Sequence, residues 1–184
     1  AYTDPLAVHA VEMIMNDLVK SYNGDMEARD RMHDAQCLAG MAFNEASLGL
    51  NHAIAHNIGG KLHIPHGRTN AILLPYVIEF NSHMEGYNPK SYTIAANRYA
   101  KLAKLCGIQG ATTRTLVKNF ISEIIRLQRE MKMPLSLKQC GVEEEQYLAL
   151  KKDIAEGALL DACIKTNPRE TSVSDVMEIL HLIK

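Results

Sequence analysis

An all-α fold is what this sequence predicts, and three observations predict it. Apolar residues recur with helical period in almost every segment, set among good helix formers. No alternating β-branched run long enough to make a useful strand is present. Helix-start and helix-stop residues punctuate the chain at helical lengths, so seven to nine packed helices account for it. With 184 residues and 47% hydrophobic content, the chain suffices for one domain with a sizeable core.

The elements follow in order. Asp4 as a cap and Pro5 at the first helical position start a helix over 6–19, with Leu6, Val8, Val11, Ile14, Met15 and Leu18 inward. The Tyr-Asn-Gly-Asp run at 22–25 breaks it. A second helix begins near Met26. Its head is charged (Glu27, Arg29, Asp30, Arg31), and it turns apolar from Ala35 onward. Small residues at Ala39, Gly40, Ala42, Ala46 and Gly49 leave its far end smooth, so it should run from surface to centre and carry His52 and His56 inward. Gly59 and Gly60 are the expected stop. A short loop over 61–65 precedes a helix over 66–80, with Pro75 as a kink. Residues 81–88 read as loop and 89–105 as an amphipathic helix stopped at Gly107. Thr112 or Thr113 caps a helix through Met131, ended by Pro134. A helix over 143–158, a turn at Asn167–Pro168 and a last helix over 175–183 capped by Ser174 complete the chain.

Composition narrows the function classes. Net charge is −1 with both signs interspersed, which argues against nucleic acid or an anionic membrane as partner, since each selects a clustered basic face. The four cysteines are far apart, without a CxxC pair, and read as reduced thiols of a cytoplasmic protein. The first twenty residues carry Asp4, Glu12 and Asp17, unlike a signal peptide. The longest apolar run, 71–78, is too short to cross a bilayer.

Chemistry concentrates in residues 48–80, LGLNHAIAHNIGGKLHIPHGRTNAILLPYVIEF. Four of the eight histidines (His52, His56, His63, His66) fall within fifteen residues there. His52 and His56 are four apart in a proline-free run, so a helix puts both imidazoles on one face. The loop can return His66 alongside them. Neutral imidazole is the commonest ligand for divalent transition metals, and three such rings can converge on one ion. Spacing leaves that open against a plainer reading, polar histidines at helix ends that hold no metal. The residue after His52 is not Glu, so the HExxH of zinc proteases is absent.

The same run resembles the signature of the iron-containing (group III) alcohol dehydrogenases: G-x-x-H-x-x-x-H-x-x-G, then P-H-G, then N-A-x-L-L-P. Residues 2–14 (YTDPLAVHAVEMI), 31–49 (RMHDAQCLAGMAFNEASLG) and 166–171 (TNPRET) are similar to the family too, so the likeness runs end to end. It implies a multi-helix fold like the C-terminal domain of the dehydroquinate synthase-like superfamily. It further implies that residues 1–184 are the metal-binding and substrate part of a longer protein, whose N-terminal nucleotide-binding domain precedes them.

Site roles follow from the resemblance alone. His52 and His66 match two ligands of a divalent metal, usually Fe(II) and sometimes Zn(II). The other two ligands, an Asp and a His four residues later, belong before Tyr2. His56 matches a residue beside the nicotinamide of NAD(H), which orients cofactor or shuttles a proton and is not a primary ligand. Phe43 and Cys163 match positions lining a small substrate pocket, against plainer roles as a core aromatic and a small buried hydrophobe. The expected activity is interconversion of a short-chain primary alcohol and its aldehyde, with the metal polarising the substrate oxygen. Within the family the sequence looks like the short-chain alcohol enzymes of bacterial microcompartments or the dehydrogenase half of bifunctional aldehyde–alcohol dehydrogenases. The full-length protein is expected to be a homo-oligomer, and the chain alone to be inactive.

Other readings stay in view. A zinc-dependent glycerol dehydrogenase-type relative shares the architecture. From another class, Glu178-x-x-His181 and Asp30-x-x-His33 offer the carboxylate–His pairs of helical di-iron proteins, and a helical metal-binding module without dehydrogenase activity is a third. His63 reads as a loop residue. His9, His33, His83 and His181 read as surface or helix-end residues.

Overall fold

The computed structural model describes residues 2–84 and 92–184. Among them are eight α-helices and no strand, as the periodicity predicts: α1 (Thr3–Tyr22), α2 (Met26–Ala46), α3 (Leu50–Leu62), α4 (His66–Ser82), α5 (Ile94–Leu105), α6 (Thr113–Glu130), α7 (Glu144–Leu160) and α8 (Val173–Leu182). Two short 3-10 turns, Lys138–Cys140 and Ala162–Thr166, add to them. No helix among the described residues is long and apolar enough to cross a membrane. The chain forms two compact units, Ala1–Ser47 with Met84–Met131, and Leu48–His83 with Lys132–Lys184.

In the first unit α1 packs along α2, and α5 along α6. The α1–α2 seam rests on small residues at heptad spacing. Ala28, Ala35 and Ala42 are buried on α2, and Ala10 and Asp17 on α1. Asp17 is buried because Arg31 reaches it from α2, donating from Nε and Nη2 at 2.8 Å each. That fork holds the Asp17 carboxyl down at about 2, against the upward pull of burial. An unfolded Asp titrates near ~3.9. The pair therefore contributes fully above that value, and its contribution is lost as pH falls towards 2. Asp17→Asn should cost on the order of 1 kcal/mol at neutral pH. It should also flatten the acid fall of the urea midpoint between about pH 4 and 2. An unchanged acid profile in the variant would count against the account.

The second unit is built on α3, whose Leu50, Ala53, Ile54, Ala55, Ile58 and Leu62 are buried. Against it lie Ile72, Leu73 and Val77 of α4, Tyr147, Ile154, Ala155 and Ala158 of α7, and Val176, Ile179 and Leu180 of α8. Asn57 lies flat on Gly157, where a Cβ would strike its side-chain oxygen, so α3 and α7 approach closely only because residue 157 is glycine.

Several boundaries differ from expectation, each for a local reason. The first helix starts at Thr3, so Asp4 and Pro5 sit inside its first turn, where a missing N–H costs nothing, and Asp4 pairs with Arg98 instead of capping. The helix from Met26 does not continue to the histidines. It stops at Ala46, Ser47 takes φ 65°, and α3 starts afresh after Gly49. Gly59 and Gly60 stay helical, and the left-handed cap falls on His63 at φ 55°, its N–H bonding Gly59 O. Buried Leu62 and Ile64 on either side of His63 anchor that turn. Residues 81 and 82 belong to α4. The rest of the expected 81–88 loop from residue 85, and residues 89–91 of the expected next helix, lie outside the described residues. That helix is seen from Ile94, capped by Thr93. Thr112 caps α6. The last helix is capped by Ser172, not Ser174, because Ser172 and Asp175 close a reciprocal capping box.

Candidate metal and catalytic site

Three imidazoles meet in the second unit. The spacing of His52 and His56 on α3 places their ring centroids 6.1 Å apart. The left-handed turn at His63 then reverses the chain within three residues and sets His66 at the first position of α4. His66 lies 5.3 Å from His52 and stacks on His56 at 5.1 Å. The cluster faces outward. His56 and His66 are exposed and His52 is half-buried, so the expectation that α3 carries its histidines into an interior does not hold.

Each ring has a distinct environment. Burial lowers the pKa of His52, the nearby His66 and His56 lower it further and Asp161 opposes them less strongly, so the neutral ring is favoured. Neither nitrogen of its ring has a hydrogen-bond partner among the described residues. His66 Nε2 lies 2.9 Å from Asn70 Nδ2. Asn51 Nδ2 donates to Asn70 Oδ1 at 2.7 Å, which fixes the Asn70 amide so that its NH2 faces the imidazole. His66 Nε2 is therefore an acceptor and carries its lone pair there. Two imidazoles side by side on an open face are donors of the type a borderline divalent ion such as Fe(II) or Zn(II) takes, His66 Nε2 by exchanging the Asn70 N–H for the ion.

His56 is different. Its Nδ1 lies 2.9 Å from Oδ2 of Asp161, just beyond the C-terminus of α7. Oδ1 of Asp161 accepts the Cys163 N–H at 2.8 Å and caps the 3-10 turn Ala162–Thr166. Burial pushes the Asp161 carboxyl up, but the Cys163 and His56 hydrogen bonds outweigh it and the net shift is down. The ligand atoms of His56, Asp161 and Cys163 lie within 4.8 Å of one another, a spacing that itself suggests a metal site. Their bonding argues otherwise. Imidazole and carboxylate already satisfy each other, and burial with the bond to Asp161 raises the Cys163 pKa, keeping it a thiol rather than a metal-binding thiolate.

The other sequence candidates fall as follows. Cys163 is half-buried beside the core of the second unit. Phe43 belongs to α2 of the first unit and is 49% exposed, so it is not a core aromatic. His9, His33, His83 and His181 are exposed, as expected for surface and helix-end histidines. Asp30 and Glu178 are exposed too, so neither carboxylate–His pair of the di-iron reading points inward.

Two residues were missed. Asp161 follows a helix and reads only as its end; the Asp-x-Cys spacing, an acceptor two residues before an N–H, is the local signal for its turn. Asn167 reads in the sequence as a plain turn residue. Its Oδ1 accepts from Leu50 N at 3.2 Å and Asn81 Nδ2 at 3.1 Å. Its Nδ2 donates to Asn81 Oδ1 at 2.9 Å and Arg169 O at 2.8 Å. Arg169 donates to Phe80 O at 2.8 Å, with its guanidinium 3.9 Å from the centre of the Phe80 ring. The TNPRET segment thus ties the start of α3 to the end of α4 and so supports the histidine cluster.

A model of the Fe-containing alcohol dehydrogenase family, C-terminal, matches residues 1–183. The NADPH-dependent butanol dehydrogenase of Clostridium saccharobutylicum is 44% identical over 182 residues, covering 99% of this chain and 44% of that enzyme. The 1-propanol dehydrogenase PduQ of Salmonella typhimurium is 38% identical over 183 residues, covering 97% of this chain and 47% of that protein. A crystal structure of a 1,3-propanediol oxidoreductase matches with a TM-score of 0.86 at 33% identity, covering 100% of this chain and 46% of that one. The chain thus spans less than half the length of these relatives. By the match of residues 1–183 to the family's C-terminal model and by the shared all-α fold, the chain belongs to the Fe-containing alcohol dehydrogenase family.

Proposed function

We propose that this chain is the metal- and substrate-binding part of an alcohol dehydrogenase that interconverts a short-chain primary alcohol and its aldehyde with a nicotinamide cofactor. The observation that carries the reading is the convergence of His52, His56 and His66 on one exposed face in a member of this family. His52 and His66 would hold the metal, Fe(II) by the family likeness or Zn(II) by the same ligand chemistry, with the remaining ligands supplied by a nucleotide-binding domain. When bound, the metal supplies Lewis acidity at the substrate oxygen. The protein's own groups do the rest. The neutral state of His52 leaves a lone pair to donate, and Asn70 orients His66. His56 stands beside both with a ring 41% exposed, able to meet a cofactor or move a proton. Cys163 keeps its thiol protonated and gives the site a small, weakly polar wall. Short substrates accord with relatives named for butanol and 1-propanol. The choice between NAD(H) and NADP(H) belongs to the nucleotide-binding part.

The division of labour is testable. Two imidazoles leave a divalent ion mostly hydrated, and the described residues contain no strand on which to build a dinucleotide fold. The purified chain with Fe(II), NADH or NADPH and propanal should show no sustained loss of reduced cofactor. The same chain joined to a nucleotide-binding domain of the family should consume it. Turnover by the isolated chain, or inertness of the joined protein towards every short aldehyde, would overturn the proposal.

A further inference from the structure

We infer that Asp161 is a positioning residue that holds His56 in its Nδ1–H tautomer and so leaves Nε2 as the basic nitrogen facing outward. The inference deepens the proposed function and rests on it for its catalytic consequence, but the tautomer can be read without any turnover.

The geometry is specific. His56 Nδ1 meets Asp161 Oδ2 at 2.9 Å, and a carboxylate only accepts, so Nδ1 must carry the proton. An unconstrained neutral imidazole has no such lock; its tautomer is set by the bond its other nitrogen makes. Asp161 is itself fixed by the Cys163 N–H at 2.8 Å on Oδ1, which also anchors the 3-10 turn. One carboxylate therefore spans a backbone donor and a ring donor, one oxygen to each. With Nδ1 so engaged, Nε2 is the nitrogen left to accept a proton from, or return it to, a hydroxyl of substrate or cofactor. The side chains are 41% exposed for His56 and 17% for Asp161, so the base lies open while its support is shielded.

Asp161→Asn separates positioning from simple support. Cys163 N–H still needs an acceptor, so the amide oxygen must stay on that side. The amide NH2 then occupies the place of Oδ2 and donates to His56 Nδ1. The turn keeps its cap, yet the imidazole is driven to the Nε2–H tautomer and loses its outward lone pair. In a catalytic triad the same kind of exchange leaves geometry intact and costs about 10⁴ in kcat. For a proton relay that assists a metal, about 100-fold is expected.

The test uses long-range proton–nitrogen correlation spectra of the chain with ¹⁵N-labelled histidine, at a pH well above the imidazole range, with His56→Gln identifying the signals. The unsubstituted chain should show a pyrrole-type Nδ1 and a pyridine-type Nε2 for His56, and Asp161→Asn should reverse them. In the joined enzyme Asp161→Asn should lower kcat about 100-fold while KM and metal content stay within about twofold. A His56 in the Nε2–H form in the unsubstituted chain, an unchanged tautomer in the variant, or an unchanged kcat in an active joined enzyme would each overturn the inference. If the joined enzyme reduces no aldehyde, the dehydrogenase reading fails, and the spectra alone still decide the role of Asp161.

Discussion

Replacing His52 or His66 with alanine should strip the metal from the joined enzyme, whereas replacing His56 with alanine should leave the metal in place and slow turnover. The two groups of residues differ in what their nitrogens are doing. Burial and the histidine neighbours lower the His52 pKa and favour its neutral ring. His66 Nε2 carries a lone pair towards Asn70. Removing either takes one imidazole from a site that has only two from this chain. Loss of a residue that merely orients a ligand costs about 10–100-fold in affinity, so loss of a ligand should exceed that. His56 has its Nδ1 bound to Asp161, and its loss should cost about 100- to 10,000-fold in kcat, the range for a positioned acid–base group. Metal per protomer after dialysis, set beside steady-state kinetics, separates the outcomes. An emptied site in His56→Ala, or full metal content in His52→Ala, would refute the assignment.

Asn167→Ala should destabilise the chain by about 3 kcal/mol, the second large effect. The side chain serves as acceptor for Leu50 N–H and Asn81, and as donor to Asn81 and Arg169 O. Asn81 is buried, so truncation leaves its amide without the partner that offsets its desolvation, at about 1–3 kcal/mol per stranded group. It also removes the acceptor from the first N–H of α3, two residues before His52. Asn167→Asp keeps the acceptors but loses both donors and brings a negative charge against two oxygens, so it should be no milder. Adding Asn81→Ala to Asn167→Ala should recover part of the loss, since removing both partners strands fewer groups. Urea denaturation measures all four proteins. A loss below about 1 kcal/mol for Asn167→Ala would mean that the TNPRET tie is not structural.

How much was legible in the sequence varies from element to element for physical reasons. The helices were legible because an amphipathic helix repeats its signal over several turns, as in α6, where Thr112 and Met131 bound the element as read. Helix ends carry one residue's worth of signal and were misplaced. At Ser47 the backbone turns left-handed without a glycine, and at Gly59 and Gly60 two glycines stay helical because the cap lies beyond them at His63. Of the site, His52, His56 and His66 were legible because they are close in the chain and a helix and a tight turn suffice to join them. Asp161 was not, because it lies 105 residues from the ring it binds. Asn167 was not, because its partners, Leu50 and Asn81, lie 117 and 86 residues away.

The sequence by itself determined that this is a helical chain with three imidazoles on adjoining helices, since local hydrophobic period and i, i+4 spacing depend only on near neighbours. Only the tertiary structure decided what those imidazoles can do. Long-range packing brings the end of α7 against α3, and with it the carboxylate that commits one nitrogen of His56. It also half-buries His52, which favours the neutral ring, while leaving the face of the cluster open. Protonation state and lone-pair direction follow from desolvation and from distant hydrogen-bond partners, and these come into being only when the helices pack.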